Sequence, residues 1–453
     1  MAPAKSPSPI VASLRVSNKS AVCGCPGVPR SIPRIETTLE IRSSNGAPFR
    51  IKSVGIELRT TQKLVMLSAL GSNETTRDFI IYENPNMFRP SSGTTSEQLL
   101  GLDVPVLIPI PKDITASGYF PIWNTTTIHN VGTKVVCLDV ANTEATFVEA
   151  FPIAIKLYDN LPLYRKFNEP LIEKQHSKDD QVALEVITQL NSIGPRDSIP
   201  LTVKTMINAH KSKIKKGIKL KFINLQLLEI LECYEGSTRS RKEHKLISET
   251  KSFLGDDAHL TSQESVYSFN LTLPLENDIL LLYCPMDEVN KITSQVRHLK
   301  SDSLSPHAFS DTVNELPPQK SIEGIPISHS KGFSSTGKLF TILHEVNVKE
   351  KMVNARDIEI RFPITVCPFN KESSSYLLNW IVKECDVARH KFGRELVSRS
   401  SQLRYDEMVK IIRRFNPPAI SYRYTKADWV RLGYNTEAFG RNRSIKPLIS
   451  YID

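Results

Sequence analysis

Apolar and polar residues alternate along much of the first 370 residues, and this period of two constrains the fold more than any other feature. Tyr267, Phe269, Leu271 and Leu273 alternate with Ser268, Asn270 and Thr272. Ile358, Ile360, Phe362 and Ile364 alternate with Asp357, Glu359 and Arg361, and Phe340, Ile342, Val346 and Val348 form a third case. Ile35, Leu39 and Ile41, then Val54, Ile56 and Leu58, read as a hairpin-like pair turning at Ser44-Asn45-Gly46. Such strands bury one face and wet the other, and many of them together build antiparallel sandwiches. The expected fold is therefore all-β, with two antiparallel β-sandwich lobes.

The lobes are expected at residues 10–170 and 190–370, joined by a polar connector at 171–189 that contains Glu173, Lys174, Lys178, Asp179 and Asp180. Polar stretches near 85–100, 236–262 and 287–330 read as solvated loops. After Cys367-Pro368 the period changes. Tyr405, Met408, Val409 and Ile412 follow helical spacing, so a helix is expected within Ser373–Arg414, ended by Asn416-Pro417-Pro418. Residues 371–453 thus form a helical and irregular extension whose last part, aromatic and basic, docks only in part.

A chain of 453 residues exceeds one ordinary core and suits two or three domains. The formal charge of +10 favours an acidic partner without choosing which. Seven cysteines, odd in number and scattered, suit a reducing compartment. Met1–Ile10 lacks the apolar core of a secretory signal, and no apolar run reaches the ~20 residues of a membrane span. Asn-x-Ser/Thr matches, as at Asn124 and Asn270, then read as chance. The expected location is cytoplasmic, with peripheral contact at the plasma membrane and endosomes.

Three motifs touch on chemistry. Gly332-Phe-Ser-Ser-Thr-Gly337-Lys338 matches seven positions of a phosphate-binding loop, but Leu339 stands where a magnesium-binding hydroxyl belongs. A polar segment precedes it and a period-two strand follows, so a loop between strands is the better reading. Cys23-Gly24-Cys25 lacks the second ligand pair that zinc needs. No Ser, Cys or His stands in a nucleophile motif. No catalytic residue, metal site or cofactor is expected, and the chain reads as non-enzymatic.

Two features point to partners. Lys204–Lys221 contains Lys211, Lys213, Lys215, Lys216, Lys219 and Lys221 and no acid. Its end, where Ile218, Leu220 and Phe222 alternate with lysines, reads as a strand with a cationic outer face, fit for an acidic peptide or an anionic lipid surface. The competing reading is a solubilising face. Nucleic acid is not expected, because no recognition helix or interleaved aromatics accompany the lysines. Leu161-Pro162-Leu163-Tyr164 is a Leu-Pro-x-Tyr element of the kind that WW grooves accept, against the plainer reading of a strand end. Pro417-Pro418-Ala419-Ile420 begins like the stronger Pro-Pro-x-Tyr form and ends in isoleucine. Ser6-Pro7, Ser8-Pro9 and Ser305-Pro306 are weak phosphorylation signals.

Three segments carry a family resemblance. Pro33–Arg42 with Pro48–Arg59 resembles the opening strands of an arrestin N-lobe. Ile193–Val203 with Ile218–Glu232 resembles the start of the C-lobe, and Ile358–Cys367 its closing strand. Together they resemble fungal arrestin-related trafficking adaptors, the α-arrestins. The resemblance implies two β-sandwich lobes, no active site, and recruitment of a Nedd4-type HECT ubiquitin ligase, through its WW domains, to plasma-membrane transporters. Leu161, Pro162 and Tyr164 would contact the ligase; the Lys211–Lys221 patch would contact acidic cytosolic tails. The sequence departs from the family in lacking a full Pro-Pro-x-Tyr. The alternative is an arrestin-fold scaffold in signalling or vesicle sorting without direct ligase recruitment.

Overall fold

The computed structural model describes residues 9–15, 21–68, 71–91, 93–139, 141–208, 217–235, 238–260, 264–273 and 332–434. Among them, strands in four sheets dominate, and helices are confined to the C-terminal extension apart from short 3-10 turns. The first sheet runs β1 (Ile10–Arg15), β3 (Arg34–Ser43), β7 (Gly101–Pro109), β21 (Ile420–Tyr422), with β2 (Val22–Cys23) also on β3. The second runs β10 (Glu144–Ile153), β9 (Thr125–Leu138), β4 (Phe49–Ser68), β5 (Gly71–Phe88); β6 (Glu97–Leu99) pairs β4 and β8 (Gly118–Phe120) pairs β9. The third runs β11 (Leu171–His176), β12 (Val182–Thr188), β14 (Ser198–Ile207), β17 (Ser265–Thr272). The fourth runs β13 (Ser192–Ile193), β20 (Ile358–Val366), β19 (Phe340–Val353), β15 (Lys219–Glu235), β16 (Thr238–Ser252), with β18 (Ser335–Thr336) on β19. Pairing is antiparallel except for the two-residue contact of β13 with β20.

The alternation explains the stacking. Leu39 and Ile41 of β3 and Val104 and Val106 of β7 meet Val54, Ile56 and Leu58 of β4 and Val131 and Val135 of β9 in one core. Leu184 and Val186 of β12, Leu201 and Val203 of β14 and Phe269 of β17 meet Leu225 and Leu227 of β15, Val346 and Val348 of β19 and Ile360 and Phe362 of β20 in the other. Each fully buried side chain of this kind contributes about 1.5–3 kcal/mol relative to exposure.

Several expectations change. β3 and β4 do not form a hairpin: they lie in different sheets, each buried against the other's layer. The turn between them is an arch, held by Asn45 Oδ1, which accepts the Ala47 N–H at 2.9 Å, and by Gly46 at φ +74. The polar connector at 171–189 is instead β11 and β12, because Val182, Leu184 and Val186 supply an apolar face to the third sheet. The stretch 236–262 is mostly β16, a charged edge strand paired along β15. The expected loop at 287–330 lies outside the described residues, as do Ser6-Pro7 and Ser305-Pro306.

The single helical region resolves into three helices. α1 (Lys371–Phe392) is capped by Asn370, whose side chain accepts the Ser373 N–H at 2.9 Å, and buries Leu377, Ile381, Cys385, Ala388 and Phe392. Gly393, at φ +89, ends it. α2 (Arg394–Arg399) and α3 (Tyr405–Ile412) follow. The chain then adds β21 to the free edge of β7 and closes with α4 (Lys426–Arg431). Trp429, Leu432 and Tyr434 pack on Leu100, so this part of the tail is docked through Tyr434.

The second core holds a carboxyl. Glu350 on β19 is fully buried and accepts the Thr205 hydroxyl at 2.5 Å. Burial pushes it up to about 7, against the hydrogen bond from Thr205. In the folded state it therefore keeps its proton above the unfolded value of 4.5, and that stability is lost as pH rises toward and through 7. The expected loss is about 3 kcal/mol at most. Urea midpoints measured across this window should fall for the wild type with a steeper slope than for Glu350→Gln. Parallel slopes would contradict the assignment.

Candidate docking surface

Two junctions tie the lobes and the extension together. β4 is 20 residues long and reaches both cores. Its inward positions are Ile56 and Leu58 in the first core and Leu64 in the second. Between them Thr60 and Gln62 form a buried polar layer. Gln62 Oε1 accepts the backbone N–H groups of Lys338 at 3.0 Å and Leu339 at 2.9 Å, while its Nε2 donates to Thr127 Oγ1 at 3.3 Å. His129 Nε2 lies 2.9 Å from the Thr115 carbonyl, and Nδ1 lies 2.9 Å from Thr60 Oγ1. A carbonyl only accepts, so the ring proton sits on Nε2 and the Thr60 hydroxyl donates to Nδ1. Burial lowers His129 to about 4, which keeps it neutral. Thr115 Oγ1 donates to the Thr336 carbonyl at 3.0 Å. Phe120 fills the centre, with Phe333 at 5.2 Å and Phe340 at 5.9 Å between ring centroids.

This arrangement accounts for the phosphate-loop look-alike. Residues 332–338 form a clasp between lobes, and the N–H groups of Lys338 and Leu339 are committed to Gln62. A Cβ on Gly337 would lie 2.0 Å from Gln62 Nε2, so the glycine permits close approach. β19 follows the clasp, where a phosphate loop needs a helix.

The second junction contains Leu161–Tyr164. Leu161 is fully buried, Pro162 is buried and Tyr164 is half-buried. Tyr164 donates its hydroxyl to the Tyr158 carbonyl at 2.8 Å and its N–H to the Leu161 carbonyl at 3.1 Å. Leu161 packs with Cys25, Cys367, Phe369, Leu377 and Ile381, and Tyr158 stacks on Phe369 at 5.3 Å. A WW groove takes an open extended proline. In this fold the element is instead packed into the joint between lobe and helix. Cys25 is buried, which raises its thiol far above the ordinary range. Among the described residues no group of three metal-ligating side chains occurs.

Of the lysine patch, Lys211, Lys213, Lys215 and Lys216 lie outside the described residues. Lys219 is half-buried and Lys221 exposed. The expected alternation breaks there, because a register irregularity between Leu220 and Phe222 turns Phe222 out of the core and Ile223 into it. Lys204 faces Glu185 at 3.4 Å and Glu264 at 3.2 Å, so part of the cationic run is neutralised.

Elsewhere the charges pair. On the outer face of the fourth sheet Arg241 reaches Glu345 at 2.7 Å, and Arg361 reaches Glu243 at 2.9 Å and Glu359 at 3.0 Å. Leu228 and Ile230, which stand in register with Glu345 and Glu243 on that face, are buried. The alternating charges of β16 could have signalled an edge strand in the sequence. A cavity of about 330 Å³ opens between the 27–33 loop, the 110–113 turn and the α2–α3 link, lined by Pro29, Pro111, Leu403, Arg404, Tyr405 and Met408.

No protein-family model matches the chain. One curated protein does, over nearly the whole length. The RHO1 GEF localizing protein 1 of Saccharomyces cerevisiae is 23% identical over 481 residues, which span 91% of this chain and 94% of that protein. This is distant homology across both lobes and the extension. It brings the name of a localizing protein, not that of a ubiquitin-ligase adaptor. No described helix is long and apolar enough to cross a membrane.

Proposed function

We propose that this chain is a non-catalytic scaffold that holds a protein partner, a RHO-type GEF, at one place in the cell. The whole-length similarity to a protein named for localizing a RHO1 GEF carries this reading. The interior supports it. The segments that looked chemical, Gly332–Lys338 and Cys23–Cys25, are used for packing and for hydrogen bonds inside the fold. The clasp at Gln62 and Phe120 joins the lobes through buried hydrogen bonds and ring packing, which suits a rigid scaffold. The scaffold without direct ligase recruitment is thus the better of the two readings that the arrestin resemblance offers. Recruitment of a HECT ligase to transporters would depend on Leu161–Tyr164, and Pro162 is enclosed.

The test has two arms. In cells that express the chain, its deletion should disperse a fluorescently tagged RHO GEF while leaving the amount of GEF unchanged. The purified chain should capture that GEF and not the WW domains of a HECT ligase. An unmoved GEF together with no capture would sink the proposal, and capture of WW domains would restore the ligase reading.

A further inference from the structure

The C-terminal extension does more than close the fold. From Tyr405 to Tyr422 it runs antiparallel along β7. The Tyr405 hydroxyl donates to the Pro109 carbonyl at 2.9 Å, and Asn416 Nδ2 to the Pro105 carbonyl at 3.1 Å. Ile420 and Tyr422 pair with Asp103 and Gly101, and the Leu100 N–H donates to the Tyr422 carbonyl at 2.9 Å. From Pro109 to Leu100 that is a strap of about 30 Å at the rise of a strand.

Part of the strap is tied to the body of the fold. Tyr422 donates its hydroxyl to Asp103 at 2.9 Å, and Arg42 pairs with Asp103 at 2.6 Å. Ile412 packs with Ile32 and Leu107, and Trp429 and Leu432 with Leu100. The outer side differs. Between Tyr405 and Tyr434 there are six Lys and Arg and three acids: Asp406 is exposed, Glu407 accepts the Arg404 N–H, and the Asp428 carboxylate accepts the Thr425 hydroxyl. Arg413 stacks on Tyr82 and donates to the Glu83 carbonyl, and Arg423 pairs with Glu97. Lys410, Arg414, Lys426 and Arg431 are exposed and have no carboxylate partner among the described residues. Between them stand Phe415, Ile420, Tyr424 and Val430, 39%, 53%, 53% and 59% exposed.

We propose that this outer stripe docks the chain on an anionic membrane surface. Unpaired cations gain from negative headgroups, each tightening binding about fivefold near such a surface. Aromatic and branched side chains among them enter the headgroup layer. A membrane rewards both kinds of side chain, cations at the headgroups and apolar groups just beneath them, whereas an acidic peptide rewards the cations alone. The inference goes beyond the scaffold reading, since it says what the body sits on and holds for any partner carried.

The test uses the full chain and vesicles of phosphatidylcholine with or without phosphatidylserine. The wild type should sediment with the serine-containing vesicles alone. The combined variant Lys410→Glu, Arg414→Glu, Lys426→Glu and Arg431→Glu should bind at least about five-hundredfold more weakly, and Phe415→Ser with Tyr424→Ser should weaken binding severalfold. The four cations face solvent without carboxylate partners among the described residues, so the charge variant should keep its melting temperature; Phe415 also packs edge to face on Phe392 at 5.0 Å, so the apolar variant is compared at matched folding. A control with equal charge change, Lys134→Glu, Lys174→Glu, Lys242→Glu and Lys245→Glu, should bind nearly as the wild type. Equal loss in the control, no vesicle binding by the wild type, or binding to poly-glutamate in place of vesicles would each overturn the proposal. Capture of the GEF by the strap variant in solution should persist, which separates this failure from failure of the scaffold reading.

Discussion

Phe120→Ala should destabilise the protein by about 3–5 kcal/mol. Phe120 is fully buried and belongs to the second core, although its strand, β8, pairs in the sheet of the first. Its ring meets Phe333 within the 332–338 clasp and Phe340 just after it. Truncation removes the transfer energy of a phenyl ring and leaves a hole that rigid strands cannot close. The Gln62 bonds to Lys338 and Leu339 lie in the same joint, so loosening the aromatic cluster exposes them to water as well. The lobes should then unfold in two steps where the wild type unfolds in one. Urea denaturation followed by fluorescence and by far-UV dichroism would resolve the steps. Phe120→Leu should cost less, about 1.5 kcal/mol or below, because most of the volume is kept. An alanine variant within about 1 kcal/mol of the wild type would mean that the joint is held elsewhere.

The joint also shows where sequence reading stops. The all-β class was legible because alternation is local: Tyr267–Leu273 and Ile358–Ile364 need no partner to be recognised. Pairing partners are not local. Ser44-Asn45-Gly46 has turn chemistry, but whether the chain returns beside β3 or crosses to the opposite sheet depends on which face of β4 finds an apolar layer. Polar interruptions were misleading for the same reason. Thr60 and Gln62 in β4, and His344 and Glu350 in β19, sit on inward faces. Each has a partner distant in the chain: His129 for Thr60, Lys338 for Gln62, Glu229 for His344 and Thr205 for Glu350. β16 was hidden because an edge strand wets both faces and so carries charge without alternation in hydropathy.

Candidate contacts were less legible than the fold. A Leu-Pro-x-Tyr tetrapeptide reads the same whether its proline is open or enclosed, and only the packing of Cys25, Phe369 and Leu377 around it decides. Likewise the basic composition of residues 408–434 was visible, but which of its cations are engaged, Arg423 by Glu97 and Arg413 by Tyr82 and the Glu83 carbonyl, and which stand exposed without a carboxylate required the fold.

The tightest backbone contact lies at the other joint. Gly194→Ala should cost about 3 kcal/mol or more, at the upper end of what overpacking costs. A Cβ at this position would stand 2.3 Å from the Phe369 carbonyl oxygen and 2.5 Å from both Cα and N of Asn370. All three are backbone atoms, so no side chain can swing aside. Asn370 is also the residue that caps α1, and the surroundings fix it further. Asp197 Oδ2 accepts the N–H groups of Gly194 at 2.8 Å and Lys371 at 2.9 Å, and the Ile193 carbonyl accepts the Cys367 N–H at 2.7 Å. The added methyl must therefore push the first turn of α1 off the lobe. Since α1 carries Trp380, which packs on Tyr158 at 5.2 Å, tryptophan fluorescence should report the displacement before global unfolding. Gly255→Ala makes the contrast. Gly255 has φ +63, and a methyl group there would meet nothing within 4 Å, so only backbone strain of about 1–2 kcal/mol applies. If Gly194→Ala proved no more costly than Gly255→Ala, the close approach of the two backbones would not be what seats the helix, and the cap at Asn370 would have to hold it alone.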